Sequence, residues 1–171
     1  MTSSKSNQST CHKLHDTWNL YYHLPNNTNW ELSSYIPVIE NINYAEQILL
    51  LNEKLNDVVI KNCMFFLMRT NITPTWEDKA NRNGGCFSYK VMNKYIHDIW
   101  KRLFFLACGE SIFKQKEYND NVNGITISPK KQFCIVKIWM KTTEYQDPTV
   151  VTHIPNLITN GCLFKAHEPE Y

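Results

Sequence analysis

Thr-Pro-Thr-Trp-Glu-Asp at residues 73–78, followed by Gly84-Gly85, is the stretch on which the reading of this chain turns. Pro74 fixes its own φ and restricts Thr73, so the segment that carries Trp76 is stiff enough to present a ring. An indole face attracts a positively charged π system, and the adjacent Glu77 carboxylate can accept two parallel hydrogen bonds from the edge of a guanine. The pair therefore suits a flat, cationic base. A second aromatic is needed to close a sandwich, and Trp30 and Trp139 are the candidates. Taken alone, Trp-Glu describes equally well a core tryptophan beside a solvated acid, because Trp is mostly buried. The flanking sequence has to decide.

Working outward, residues 63–69 read as a short apolar strand, 71–85 as a long loop and 86–91 as another strand, which puts Trp76 on a loop between strands. Upstream, Trp18, Leu20 and Tyr22 alternate with Asn19, Tyr21 and His23 at the period of a strand with one buried face, and residues 25–29 read as a turn. Residues 43–55 change to a helical period, with Asn43 as N-cap, Glu46 three residues on, and Tyr44, Ile48, Leu51 and Leu55 on one face. A longer helix is predicted from about Asn93 to Cys108, burying Ile96, Ile99, Trp100, Leu103, Phe104 and Ala107 and stopping at a left-handed Gly109. Residues 114–123 are polar enough for a loop. Gly124–Ser128 and Phe133–Thr142 then form a hairpin around Pro129-Lys130-Lys131-Gln132. Alternation puts Thr126, Ser128 and Lys130 on one face of its first strand, and Ile135, Lys137, Trp139 and Lys141 on one face of the second. A short helix from Thr149 is cut at Pro155, and residues 161–165 can add a last strand. Strands interrupted by two or three helices indicate an α+β fold, with the helices on one face of a mostly antiparallel sheet and the other face free to bind.

The chain has 171 residues, of which 43% are hydrophobic and 20% charged, enough for one globular domain with a sizeable core. A formal net charge of only +2 argues against coating long nucleic acid through many phosphate contacts and leaves room for a short anionic ligand. Residues 1–11 read as a disordered polar tail without a secretory core, and 12–171 as the single domain. No apolar run approaches a membrane span. Six cysteines lie scattered without a Cys-x-x-Cys pair, which favours free thiols in a reducing compartment. His12 and His15 could share a helical face, but no partner ligand is near them. No nucleophile–base arrangement, metal-carboxylate cluster or cofactor loop is visible, so an enzyme is not expected, and neither is a cofactor.

The order Trp18, Trp30, Trp76-Glu77-Asp78, Gly84-Gly85, Trp100, Gly109-Glu110-Ser111, Gly124, Trp139 and Val151-Thr152-His153-Ile154 resembles the messenger-RNA cap-binding translation initiation factor 4E family over about residues 12–167. The resemblance implies a curved antiparallel sheet of about eight strands backed by three helices, with the cap in the concave face and protein partners on the helical back. It implies that Trp30 and Trp76 stack on the two faces of 7-methylguanine, that Glu77 accepts from its Watson–Crick edge, and that Trp139 touches the methyl group. Trp18 and Trp100 match structural positions and read as core. Lys130 matches an arginine that contacts the cap phosphates. The arginine usual after Gly-Gly is here Cys86, and a lysine usual after the hairpin tip is here Ile135. Lys137 can substitute on the same face; Lys131, Lys79 and Arg82 are further candidates.

On the partner surface, the resemblance assigns His12, Leu14, Leu49, Lys101, Phe105 and Glu110 to the grip on a scaffold protein of the initiation factor 4G type. The His-Pro entry of the family appears as His12-Lys13-Leu14, the anchoring tryptophan falls at Leu49, and a helical leucine of the patch falls at Lys101. An apolar groove for an amphipathic helix remains, with an altered partner. The resulting expectation is a monomeric, soluble, cytoplasmic module that binds capped messenger RNA to recruit it for translation. The alternative is a cap-sequestering repressor or interaction protein of the same fold. Abundant Asn, Lys and Ile fit an AT-rich genome, such as that of a protist or a large DNA virus.

Overall fold

The computed structural model describes residues 11–167, so most of the expected N-terminal tail, residues 1–10, lies outside the described residues. The elements run β1 (Lys13–His23), β2 (Ile36–Tyr44), α1 (Ala45–Lys54), α2 (Asp57–Asn62), β3 (Met64–Arg69), β4 (Gly85–Met92), α3 (Ile96–Cys108), α4 (Lys116–Asn119), β5 (Val122–Pro129), β6 (Phe133–Met140) and β7 (Leu163–Ala166). All the strands join one sheet in the order β2-β1-β3-β5-β6-β4-β7, every pair antiparallel. The fold is the expected α+β class, with seven strands among the described residues where about eight were expected, and four α-helices where about three were.

Alternation along β3 sets the two faces of the sheet. Phe65 and Leu67 join a large core with Trp18, Leu20, Phe87, Ile125, Ile127, Val136 and Ile138, closed by the apolar stripe of α3. Ile96, Ile99, Trp100, Leu103, Phe104 and Ala107 recur on that helix at spacings of three and four, and all are buried. Each large side chain so buried stabilises the fold by about 1.5–3 kcal/mol before the cost of ordering the chain. Phe66 and Met68 point the other way and form a small second cluster with Trp139, edged by Tyr21, Tyr35 and Met64. The face without helices is therefore aromatic.

Arg69, at the end of β3, ties the sheet to the end of α3. Its Nη1 donates to Asp16 and Glu110, both at 2.7 Å, and its Nη2 to Glu110 at 2.6 Å and to the Asn119 carbonyl at 3.0 Å. Nε donates to the Val122 carbonyl at 2.6 Å, and the guanidinium lies 4.6 Å over the Trp18 ring. All five donor positions are used, which is what a cation only 12% exposed requires.

Several expectations are corrected. The helix predicted from 43 starts at Ala45 with Tyr44 as N-cap; Gln47 Oε1 accepts from the backbone N–H groups of Asn43 and Tyr44, while Glu46 turns to His12. Gly109 is not left-handed (φ −88°); Glu110 takes that conformation (φ 51°). Ser111 N donates to Leu106 O and Glu110 N to Ala107 O, a Schellman ending in which the Arg69 pair holds a residue other than glycine at the left-handed position. His12 and His15 lie at and in β1, not on a helix, and three residues apart on a strand they face opposite ways. Among the described residues no group of three His, Cys, Asp or Glu side chains could hold a metal. Residues 116–119 form a helical turn inside the expected loop, and the helix from Thr149 is only a 3-10 turn at 148–150. Cys86, Cys108 and Cys134 are buried free thiols.

Candidate functional site

Trp30 leaves the β1–β2 connection, Trp76 and Glu77 the β3–β4 loop, Lys130 the β5–β6 hairpin, and Lys137 and Trp139 strand β6; all six line one cleft of about 570 Å³ on the helix-free face. Register explains the two on β6. Thr126 pairs with Lys137 and Ser128 with Ile135, so their side chains point to the same side as Trp139, and all of them border the cleft. Trp30 is 53% exposed and Trp76 38%, unusual for a residue type that is normally covered. Trp139, only 7% exposed, forms the floor, its indole N–H donating to Thr126 Oγ1 at 3.1 Å.

Each exposed indole is held from behind. The His23 ring lies parallel to Trp30, 4.3 Å between centroids and 2° between planes, and His23 Nε2 donates to the Asn29 carbonyl at 2.8 Å. His23 is fully buried and Tyr35 packs across both rings, so Trp30 offers one face to the cleft. The loop carrying Trp76 is tied at three points. The Asp78 carboxylate accepts from Thr73 N, Thr73 Oγ1 and Ala80 N, all at 2.8 Å. Burial raises the Asp78 pKa, but these donors outweigh it and hold the acid below its ordinary value. Fully buried Asn81 donates to the carbonyls of Thr73 (3.1 Å) and Thr75 (2.8 Å) and accepts from Asn123 Nδ2 of β5 at 2.9 Å. His167 Nδ1 donates to the Asn81 carbonyl at 2.9 Å. The loop then enters β4 through Gly84, where any Cβ would collide with the Met140 carbonyl oxygen.

The cleft carries charges of both signs, Glu77 against Lys130 and Lys137. Burial, with the Glu77 charge added, pushes the Tyr35 phenol up to about 12, so it stays neutral. A neighbouring hollow of about 360 Å³, sharing Trp76, Lys137 and Trp139, adds Lys165 and His167. Lys165 pairs across the sheet from Cys86, so a lysine on β7 stands beside the position where an arginine was expected. Burial raises the Cys86 thiol pKa against the opposing pull of Lys137 and Lys165. Burial likewise depresses His167, which keeps its ring neutral 5.0 Å from Trp139. Lys79, Arg82 and Lys131 do not line the cleft. Sequence reasoning missed Tyr35, His23, Asn81, Asn123, Lys165 and His167. Only the histidine within an aromatic strand, His23, had a local signal.

On the opposite face, Leu49 of α1 is 55% exposed and Lys101 of α3 is exposed, while Leu14 and Phe105 are half-buried against the core. The Glu110 carboxylate is occupied by Arg69, and His12 Nδ1 lies 2.7 Å from Glu46. Leu49, Lys101, Leu14 and Phe105 are thus the more available members of the expected partner set.

The sequence model described as "Eukaryotic initiation factor 4E" matches residues 13–168. The chain is 30% identical over 141 residues to eukaryotic translation initiation factor 4E of Eremothecium gossypii, covering 78% of this chain and 64% of that protein. It is also 30% identical over 151 residues to the Candida albicans factor (82% of this chain, 70% of that one). A stretch of 64 residues is 36% identical to the "Eukaryotic translation initiation factor 4E homolog" of Acanthamoeba polyphaga mimivirus, 37% of this chain and 24% of the viral one. Among solved structures, a schistosome eIF4E complexed with m7GpppG and 4E-BP superposes with a TM-score of 0.70 at 19% identity, covering 80% of this chain and 75% of that one. That likeness concerns the fold.

Proposed function

Because the chain belongs to the eukaryotic initiation factor 4E family, we propose that its helix-free face binds the 7-methylguanosine 5′ cap of messenger RNA and that the protein acts, in the cytoplasm, to bring capped messages to translation. It is a binding module, not an enzyme. The convergence of Trp30, Trp76, Glu77, Trp139, Lys130 and Lys137 from four separate segments on one cleft is the observation that carries the reading. Methylation at N7 makes the guanine cationic. Trp30, backed by His23, and Trp76, held by its tethered loop, take the two faces of that base, and stacking contributes about 1–3 kcal/mol per base. Glu77 accepts from the two edge N–H groups of guanine, which an adenine cannot supply in the same way. Trp139 gives the methyl group an apolar floor. Lys130 and Lys137 meet the phosphates as point charges, without the planar fork of an arginine, so they bind oxygens with less directional demand.

The test is a titration followed by Trp fluorescence. 7-Methylguanosine triphosphate is expected to quench and to bind far more tightly than GTP, and affinity is expected to fall from tri- to di- to monophosphate in a ladder that Lys130→Ala and Lys137→Ala flatten. Equal affinity for the methylated and plain nucleotides would overturn the cap reading.

The helical face is proposed to receive an amphipathic helix of a scaffold protein, across Leu49, Phe105 and Leu14 with Lys101 at the rim. His12 and Glu110 support this face through Glu46 and Arg69. The exposed ammonium of Lys101 favours an acidic residue on the partner over a leucine. A repressor that holds caps without recruiting the scaffold is the second reading, and the same Leu49 and Lys101 favour it.

A further inference from the structure

The cleft does not end at Lys130. That lysine also lines a second groove of about 600 Å³, bounded by the turn after β1 (Leu24 to Asn27), the end of α2 (Lys61, Asn62) and the tip of the β5–β6 hairpin. Resting on the cap reading, we propose that this groove holds the first transcribed nucleotides of the capped message, entering over Lys130 from the cap phosphates.

Three features fit a short single strand. Lys61 supplies a second cation. Its partner Asp57 lies one helical turn before it and is 51% exposed, so the pair is a solvated one that a phosphate can displace at little cost. Leu24 is 53% exposed and sits beside Pro25, giving the otherwise polar groove an apolar ledge on which a ribose or base can rest. Asn27 and Asn62 supply the polar complement. Asn27 Oδ1 accepts from Asn29 N, which leaves its amide nitrogen as a donor, and Asn62 Nδ2 donates to Val58 O, which leaves its amide oxygen as an acceptor. A donor, an acceptor, two cations and an apolar ledge are the parts of a sequence-tolerant nucleotide site.

The experiment compares m7GTP with a capped tetranucleotide on the whole chain and on Lys61→Ala and Leu24→Ser, neither of which is among the residues assigned to the cap. In the parent the capped oligonucleotide is expected to bind about tenfold more tightly than m7GTP, the equivalent of one phosphate contact and one base on the ledge. Raising salt from 50 to 200 mM should erode that margin about threefold, the slope for one phosphate on a single strand. Lys61→Ala should remove most of the margin and its salt dependence, and Leu24→Ser the salt-independent part, while m7GTP affinity stays within about twofold. A parent that binds m7GTP with no margin, or a margin unchanged in both variants, overturns the groove and leaves the cap reading standing. Binding of inorganic phosphate at the groove with no gain for the oligonucleotide would show a simple anion site and also overturn it. A chain that fails to bind m7GTP at all overturns the cap reading, and the groove with it.

Discussion

Replacing Asn81 by Ala tests whether Trp76 is presented by a rigid loop or merely happens to be exposed. The Asn81 amide is wholly buried and makes three hydrogen bonds: to the carbonyls of Thr73 and Thr75, on either side of Pro74, and from Asn123 of β5. Alanine leaves both carbonyls without this donor, whereas Asn123 keeps the Ala80 carbonyl at 2.7 Å and Asp78 keeps its three donors. At about 0.5–1.5 kcal/mol net per lost bond, plus the desolvation of any carbonyl left dry, the ordered loop loses about 2–4 kcal/mol. That cost is local, because Asn81 is not part of the sheet's apolar core. The binding-competent loop then becomes a minor state, and apparent affinity falls in proportion to its population, by about 10–100-fold. The assay is an m7GTP titration beside hydrogen exchange of the amides of residues 73–82, with the melting temperature as control. Expected are weaker binding and faster exchange in the loop, with the strands still protected. Affinity within twofold of the parent alongside faster loop exchange would refute the claim that the Asn81 tether is what makes Trp76 bind.

Arg69→Met should destabilise the fold by about 3–5 kcal/mol, since it strands the Glu110 carboxylate, only 15% exposed, and two carbonyls; chemical denaturation reads this directly, and a loss under 1 kcal/mol would show that water replaces the guanidinium. His167 has its pKa depressed by burial, so its contribution to stability is complete above the ordinary histidine value and is lost as pH falls through the lowered one; there a further cation joins Lys137 and Lys165 beside Trp139 and cap affinity should drop, a drop absent in His167→Gln. Glu77→Gln should lose discrimination for guanine over adenine caps, because one carboxylate acceptor becomes a donor, and should let the Tyr35 phenol titrate below about 12 in an ultraviolet absorbance scan. On the helical face, Leu49→Ala should weaken capture of a cognate scaffold helix, while a generic scaffold peptide binds poorly to the parent; tight generic binding that Leu49→Ala leaves undiminished would show that Leu49 and Lys101 do not set partner choice.

What the sequence determined by itself was whatever depends on near neighbours. Alternation in 133–140 put Lys137 and Trp139 on one side of a strand, the three-and-four spacing in 96–107 put Trp100 in the core, and the Trp76-Glu77 adjacency suggested a base before any fold was known. Elements without such a period stayed hidden. β2 is an edge strand, exposed at Ile36, Pro37 and Val38 alike and kinked at left-handed Asn41, so it shows no alternation; α2 has six residues, less than two turns, too few to establish a stripe. The tertiary structure alone decided how the cleft is held. Asn81 meets Asn123 across 42 residues, His167 meets Asn81 across 86, and Lys165 comes beside Cys86 only because β7 pairs with β4. An asparagine, a histidine or a lysine in such places is ordinary in sequence, because its partner is selected by strand register and loop closure, and register follows from burying the helix-covered face of the sheet.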